Sequence, residues 1–314
     1  MGEPSWLPVD DGVRAAIDDA ASLLFLVGPG VLHDDAEAGL RTLAAVLGAG
    51  VLNTWGAKGV FYWQSRHHLA TIGLQRDDYA LGGVDDADLV VTSGLDPLES
   101  PPSRWRSLVR STVDVPPRML APLAEVVRVR PRAEIAMPAI RSLLAAATAA
   151  GWERTALPAS PSSFTRAYAS LVGPTGFVAA QPGGHAGFFV ARTLPTEAPR
   201  SVCVPAAVDG AAGAIVDAVR SAAARVPGRR CLVVADGPTG DAHHALAERT
   251  GAVVAVWDVD APAHSVDDHI AALDAAFTTG ASRVVPVAYD ATQLDAFVAA
   301  AGPVVAWAHR PNSA

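Results

Sequence analysis

Four groupings in this 314-residue chain have residue types that could do chemistry. Gly28-Pro29-Gly30-Val31 follows the apolar run Leu23–Val27, an order in which a strand, a glycine turn and a helix N-terminus can cradle a phosphate. The fingerprint is incomplete, because His33 stands where a third glycine would close it, so the stretch reads as a tight strand-to-helix turn. His67 and His68 are adjacent, and adjacent residues rarely chelate one ion, so they read as structural or solvent-exposed. Asp236-Gly237 closes the apolar run Cys231–Val234 as a strand-end turn. Asp258, Asp260, His264, Asp267, Asp268 and His269 carry ligand chemistry, and their place reads as a polar loop capping a helix that begins near Val266.

The elements that must position these residues follow from the apolar patterning. Val13, Ile17, Ala20 and Ala21 recur at helical spacing over 10–22, with Asp10 or Asp11 as N-cap. Leu23–Val27 is a fully apolar strand. Ala36, Leu40, Leu43, Ala44 and Leu47 form one helix face, and Val51-Leu52 opens the next strand. The acidic turn Asp85, Asp86, Asp88 runs into Leu89-Val90-Val91, then Ser93-Gly94 and Asp96-Pro97, which reads as a buried parallel strand with a loop at its carboxyl end. A helical pattern surrounds Trp105 and Leu108. Pro116-Pro117 and Pro131 bracket an expected strand, Glu125–Val129. Met137–Ala150 predicts a helix.

Residues 151–175, rich in Pro, Ser and Thr, are expected as a linker between domains 1–150 and 176–314. The second domain repeats the order of strand, turn and helix. Its expected strands are 176–180, Cys231–Val234, Val253–Trp257, Val284–Val287 and Val304–Trp307. The fold class is therefore α/β, with two doubly wound, mainly parallel sheets covered by helices.

Composition narrows the function. Half the residues are hydrophobic and the net charge is −8. There is no basic run to meet phosphates, which argues against a nucleic-acid partner. No apolar run approaches the roughly 20 residues of a membrane span. Cys203 and Cys231 are isolated thiols and the N-terminus has no apolar leader pattern, so a reduced, cytoplasmic setting is expected.

Residues 73–99, GLQRDDYALGGVDDADLVVTSGLDPLE, resemble the central domain of thiamine-diphosphate enzymes of the acetohydroxyacid synthase and catabolic acetolactate synthase type. Flavin-containing members hold FAD in this domain. The DYxLxG wording is closer to catabolic members, which have the fold without flavin, so FAD is not expected. The resemblance implies that the second domain descends from the family's diphosphate-binding domain. Gly183, Gly184 and His185 then match a loop near the diphosphate, although Gln181 stands near its acidic position. Gly210 remains from a glycine-rich loop that here reads Ala206-Ala207-Val208-Asp209-Gly210, with Asp209 where phosphate oxygens would come. Asp236 and Gly237 match the family's metal motif, whose Asp binds Mg²⁺. Asp258 stands in place of the second metal ligand, an Asn, at a shortened spacing.

The family also needs a glutamate on a pyrimidine-binding domain, and no glutamate here lies in a matching context, so no catalytic residue is carried over. Two expectations stay open. The chain is one subunit of a split thiamine-diphosphate decarboxylase or carboligase acting on 2-oxo acids, inactive alone and completed by a partner chain carrying that domain. Otherwise it is a catalytically silent relative acting as a binding, regulatory or scaffolding partner. A weaker reading is a nucleotide-binding protein using Gly28–Gly30. Self-association or a partner chain is expected in the first two readings, because family members place the cofactor between domains of different chains.

Overall fold

The computed structural model describes residues 10–132, 137–280 and 283–307. Five parallel strands form the first sheet: β1 Leu23–Val27, β2 Gly50–Thr54, β3 His68–Ile72, β4 Leu89–Ser93 and β5 Thr112–Asp114, in the order β3-β2-β1-β4-β5. Around it lie α1 Asp11–Asp19, α2 Gly30–His33, α3 Glu37–Leu47, α4 Asp78–Leu81 and α5 Leu120–Val126. The second sheet is also parallel. It comprises β6 Phe177–Ala180, β7 Val202–Cys203, β8 Cys231–Asp236, β9 Val253–Trp257 and β10 Val284–Val287, in the order β10-β9-β8-β6-β7. Its helices are α6 Ala139–Trp152, α7 Pro161–Val172, α8 His185–Thr193, α9 Ala211–Arg225, α10 Asp241–Thr250, α11 Val266–Thr279 and α12 Gln293–Ala301.

Near-continuous apolar strands imply burial on both faces, and each sheet has an apolar cluster on either side. Local chemistry sets the ends of the elements. Asp10 caps α1 by accepting from the Gly12 and Val13 amides. Asp88 and Ser22 bond reciprocally, Ser22 N to Asp88 Oδ2 at 3.0 Å and Asp88 N to Ser22 Oγ at 2.9 Å, which locks the amino ends of β1 and β4 together. Ser265 caps α11 through the Asp268 amide, as the polar loop before it predicts. Among the described residues no helix is long and apolar enough to cross a membrane.

Two expected strands are absent. Glu125–Val129 does not extend. Instead Leu120 and Leu123, one helical turn apart, bury against α3, and Pro122 is tolerated in the first turn, so α5 forms and ends at Val126. Gly39 makes this packing close, since a Cβ there would come 2.7 Å from the Ala121 amide nitrogen. Val304–Trp307 forms only one bridge, Val304 antiparallel to Gln75, because the backbone turns at once into the first domain. Around Trp105 there is a short 3₁₀ turn, Pro102–Arg104, and no longer helix. Within 151–175 lies α7, whose Phe164, Tyr168 and Val172 belong to the second domain's core. Similarly, α6 packs on α12 of the second domain.

The family-like stretch itself holds the two domains together. Arg192 of α8 donates through Nη2 to both oxygens of Asp78, at 2.8 and 2.9 Å, and to Gln75 Oε1 at 3.0 Å. Its Nη1 donates to the Thr71 carbonyl at 2.5 Å. Gln75 Nε2 donates to the carbonyls of Phe297 and Gly302, both at 2.7 Å. Both side chains of the ion pair are almost wholly buried, at 1% and 0% exposure.

Candidate functional site

In an open parallel sheet the loops at the carboxyl ends diverge where the strand order reverses, and ligands settle there. The first sheet has that point between β1 and β4, where the notable glycines lie. The crevice is closed. Gly28 N donates to the Ser93 carbonyl at 2.9 Å, and Gly30 N to the Gly94 carbonyl at 2.9 Å. A Cβ at Gly28 would lie 2.4 Å from Gly94 O, and one at Gly30 would lie 2.7 Å from Gly94 Cα. These glycines let two loops touch, and their amides are already bonded. The following helix, α2, has four residues. The phosphate-cradle reading of Gly28–Gly30 has no support here.

In the second sheet the reversal lies between β6 and β8, and the structure brings Gly183, Gly184, His185, Asp236 and Gly237 to it. Gly183 turns the chain at φ +87°, and Gly237 does so at φ +101°. Gly184 is extended and pressed on Asp236, since a Cβ there would come 2.3 Å from Oδ2. Asp236 in turn accepts from the Ala186 amide through both oxygens, at 3.0 and 2.8 Å. A helix N-terminus attracts anions through its free N–H groups, and at α8 the chain's own carboxylate has taken that place. Burial pushes the Asp236 carboxyl up to about 7, with the Ala186 hydrogen bond pulling the other way.

His185 and Tyr289 complete the cluster. His185 Nδ1 and Tyr289 Oη are 2.6 Å apart, with the rings edge to face. Burial holds His185 below its ordinary range. Burial also pushes the Tyr289 phenol up to about 12, helped by the charges of Asp236 and Asp258. Tyr289 went unnoticed in the sequence. Its signal was position, two residues beyond β10 at the carboxyl end of the sheet.

Asp258 follows β9, beside β8, with Asp236 paired to Trp257 in register. Its Oδ2 accepts from the Thr239 amide at 3.1 Å and its Oδ1 from the Asp260 amide at 3.0 Å. Gly210 stands apart from these groups. It precedes α9 at φ +76° and lines a cavity between the domains together with Asp209.

A Mg²⁺–diphosphate group needs one or two carboxylates turned toward a shared near-octahedral cation, with phosphate oxygens filling the other positions. Asp236 faces the Ala186 amide, and the two oxygens of Asp258 are taken by the Thr239 amide of the loop after β8 and the Asp260 amide of its own loop. Among the described residues no group of three His, Cys, Asp or Glu side chains could hold a metal ion. As arranged, these residues do not fit the metal–diphosphate group. What the cluster can do chemically is hold or move protons, through a carboxyl poised near neutrality and a histidine–tyrosine pair.

His67, His68 and His269 have structural partners. His67 Nδ1 lies 2.9 Å from the Ala49 carbonyl oxygen, and His68 Nδ1 lies 3.5 Å from that of Trp63. His269 is buried, with Nε2 3.0 Å from the Tyr168 hydroxyl, which also accepts from Trp257 Nε1 at 2.9 Å.

Two parallel sheets of this kind, joined by a buried polar clasp, define a two-domain doubly wound α/β protein. Residues 11–113, nearly the whole first sheet, match the family model described as thiamine pyrophosphate enzyme, central domain. Residues 11–113 are thus similar to the central domain of thiamine pyrophosphate enzymes. Solved structures similar in fold include the thiamine diphosphate-dependent 4-hydroxybenzoylformate decarboxylase of Rhodococcus jostii RHA1, at 12% identity and a TM-score of 0.61. That match covers 92% of this chain and 66% of the other. A candidate thiamin diphosphate-dependent enzyme isolated from Mycobacterium smegmatis matches at 15% identity and a TM-score of 0.62, over 92% of this chain and 67% of the other. The chain therefore spans about two thirds of the length of these structures. No curated protein matches it.

Proposed function

We propose that this chain is catalytically silent by itself in 2-oxo acid decarboxylation and carboligation, and serves as a partner subunit built on a thiamine-diphosphate enzyme scaffold. The observation that carries this reading is Asp236, whose two oxygens face the Ala186 amide at the N-terminus of α8. Placing a diphosphate there would set an anion against a carboxylate that already fills the helix end. Calorimetric titration of the chain with thiamine diphosphate and Mg²⁺ tests it, with no saturable heat expected.

A second reading keeps the split enzyme of the acetolactate synthase type. It is favoured by the place of Asp236 and Asp258 on neighbouring strand ends. In that case a co-purifying chain carrying a pyrimidine-binding domain restores cofactor binding, and Asp236→Ala abolishes it again. In the silent reading Asp236→Ala creates no dependence on cofactor in either direction.

Association with a second copy or another chain belongs to both readings. Val208 and Val259, 49% and 60% exposed, lie in the loops after β7 and β9 and are apolar groups such an interface would cover. Light scattering at micromolar concentration is expected to show a dimer or larger species, or a co-purifying protein. A strict monomer with nothing bound would refute the association.

A further inference from the structure

A cavity of about 610 Å³ opens between the domains, bounded by the carboxyl end of the first sheet, the edge strand β7 and the face of α9. This volume lies within the range of small-molecule sites, which are mostly apolar with a few placed polar groups. Its walls fit that description, with Leu32, Val202, Val204, Ala214 and Ala218 among them.

At its floor lies Glu99, 1% exposed. Its Oε2 accepts from the Gly56 amide at 3.0 Å and from the Thr54 hydroxyl at a shorter distance. Its Oε1 lies beside Gly56 Cα, where a Cβ would come 2.1 Å away, so glycine at 56 is what allows the carboxyl to sit there. Oε1 has no hydrogen-bond partner among the described residues. Burial pushes this carboxyl up to about 8, and the Asp96 charge adds to the rise while the Thr54 and Gly56 bonds oppose it. Among the described residues no cation is ion-paired with it.

The charges around the cavity leave one sign in excess. Arg200 is bonded to Glu37 at 3.0 and 3.1 Å and is also ion-paired with Asp35, and Arg225 lies 3.8 Å from Asp35. The remaining charged or titratable lining groups are Asp96, Glu99, Asp209, His33 and the Cys203 thiol, which burial holds in its neutral form. A buried carboxyl with a free oxygen, in an apolar chamber whose unpaired charges are acidic, lacks only a cationic partner.

We propose that this cavity binds a small organic cation with a flat apolar body, its charged N–H edge meeting Glu99 Oε1. Glu99 ionises as the cation enters, so binding releases a proton at neutral pH and tightens as pH rises from 6.5 to 8.5. The test uses the full chain and benzamidine as probe, with benzoate as the anionic control, by calorimetry at pH 8.5. Saturable benzamidine binding is expected, weakened at least tenfold by Glu99→Gln. Ala218→Phe, which fills the chamber from the α9 wall, weakens it at least as much. Should Glu99→Gln fail to fold, Ala218→Phe and the pH profile decide. Absence of saturable benzamidine binding would overturn the proposal. Binding unchanged by these variants, or benzoate bound as tightly as benzamidine, would do the same.

Discussion

Removing Asp78 perturbs the polar clasp at its centre. In the folded chain Arg192 has four acceptor atoms, two of them the Asp78 oxygens, and its side chain is 1% exposed. In Asp78→Ala the guanidinium keeps only the Thr71 carbonyl and Gln75 Oε1, and its charge stays buried without a counter-ion. Asp78 Oδ2 also accepts from the Gln75 amide at 2.9 Å, so that donor is orphaned as well. Breaking a buried pair by removing one partner costs about 3–5 kcal/mol, which lowers the melting temperature by on the order of 10 °C. Replacing both charges, as in Asp78→Leu with Arg192→Met, should recover most of the loss, because the uncompensated charge is the main term. Thermal unfolding followed by the fluorescence of the buried Trp55 and Trp257 measures both variants. A loss under about 1 kcal/mol for Asp78→Ala, or a double variant no better than the single one, would refute the reasoning.

Two further predictions concern groups that local chemistry strains. Lys58 is the chain's lone lysine, 5% exposed, and burial with the Arg192 charge pushes its ammonium down to about 7 from 10.5. The unfolded chain therefore binds a proton there that the folded chain resists, so this group's penalty is full below pH 7 and fades as pH rises toward 10.5. Lys58→Met should raise the melting temperature at pH 7 and remove that group's rise in stability between pH 7 and 10, as thermal scans across pH would show. Gly184→Ala should cost about 1–3 kcal/mol by forcing Asp236 off the Ala186 amide, read by urea unfolding, and a neutral result would mean that Asp236 moves freely.

The parts of the fold legible in the sequence were those in which one segment carries its own signal. The runs Val253–Trp257 and Val284–Val287 are strands residue for residue, because short valine-rich apolar stretches bounded by turn residues have few alternatives. Val126 and Val127 misled, because β-branching is a weak preference and the Leu120–Leu123 contact with α3 outweighed it. At the candidate site the strand-end turns Gly183-Gly184-His185 and Asp236-Gly237 could be placed from sequence, but their mutual contact could not. The hydrogen bond between Ala186 and Asp236 joins residues 50 positions apart, and that between Arg192 and Asp78 joins residues 114 apart. Residues 73–79 drew notice through a family resemblance, yet Gln75 and Asp78 turn out to hold the domains together. Nothing local distinguishes a buried clasp from a ligand site when both need an Asp at the end of a loop.

The proposed silence rests on the chain's own Asp236 closing the carboxyl end of the second sheet to the cofactor. The most direct measurement is calorimetric titration of the purified chain with thiamine diphosphate in the presence of Mg²⁺, at pH 7.5. No saturable heat is predicted for the wild-type chain, nor any thermal stabilisation by the same ligands. Saturable binding at micromolar concentrations that disappears in Asp236→Ala would show that this carboxylate leaves the Ala186 amide to hold the metal, and would contradict the account.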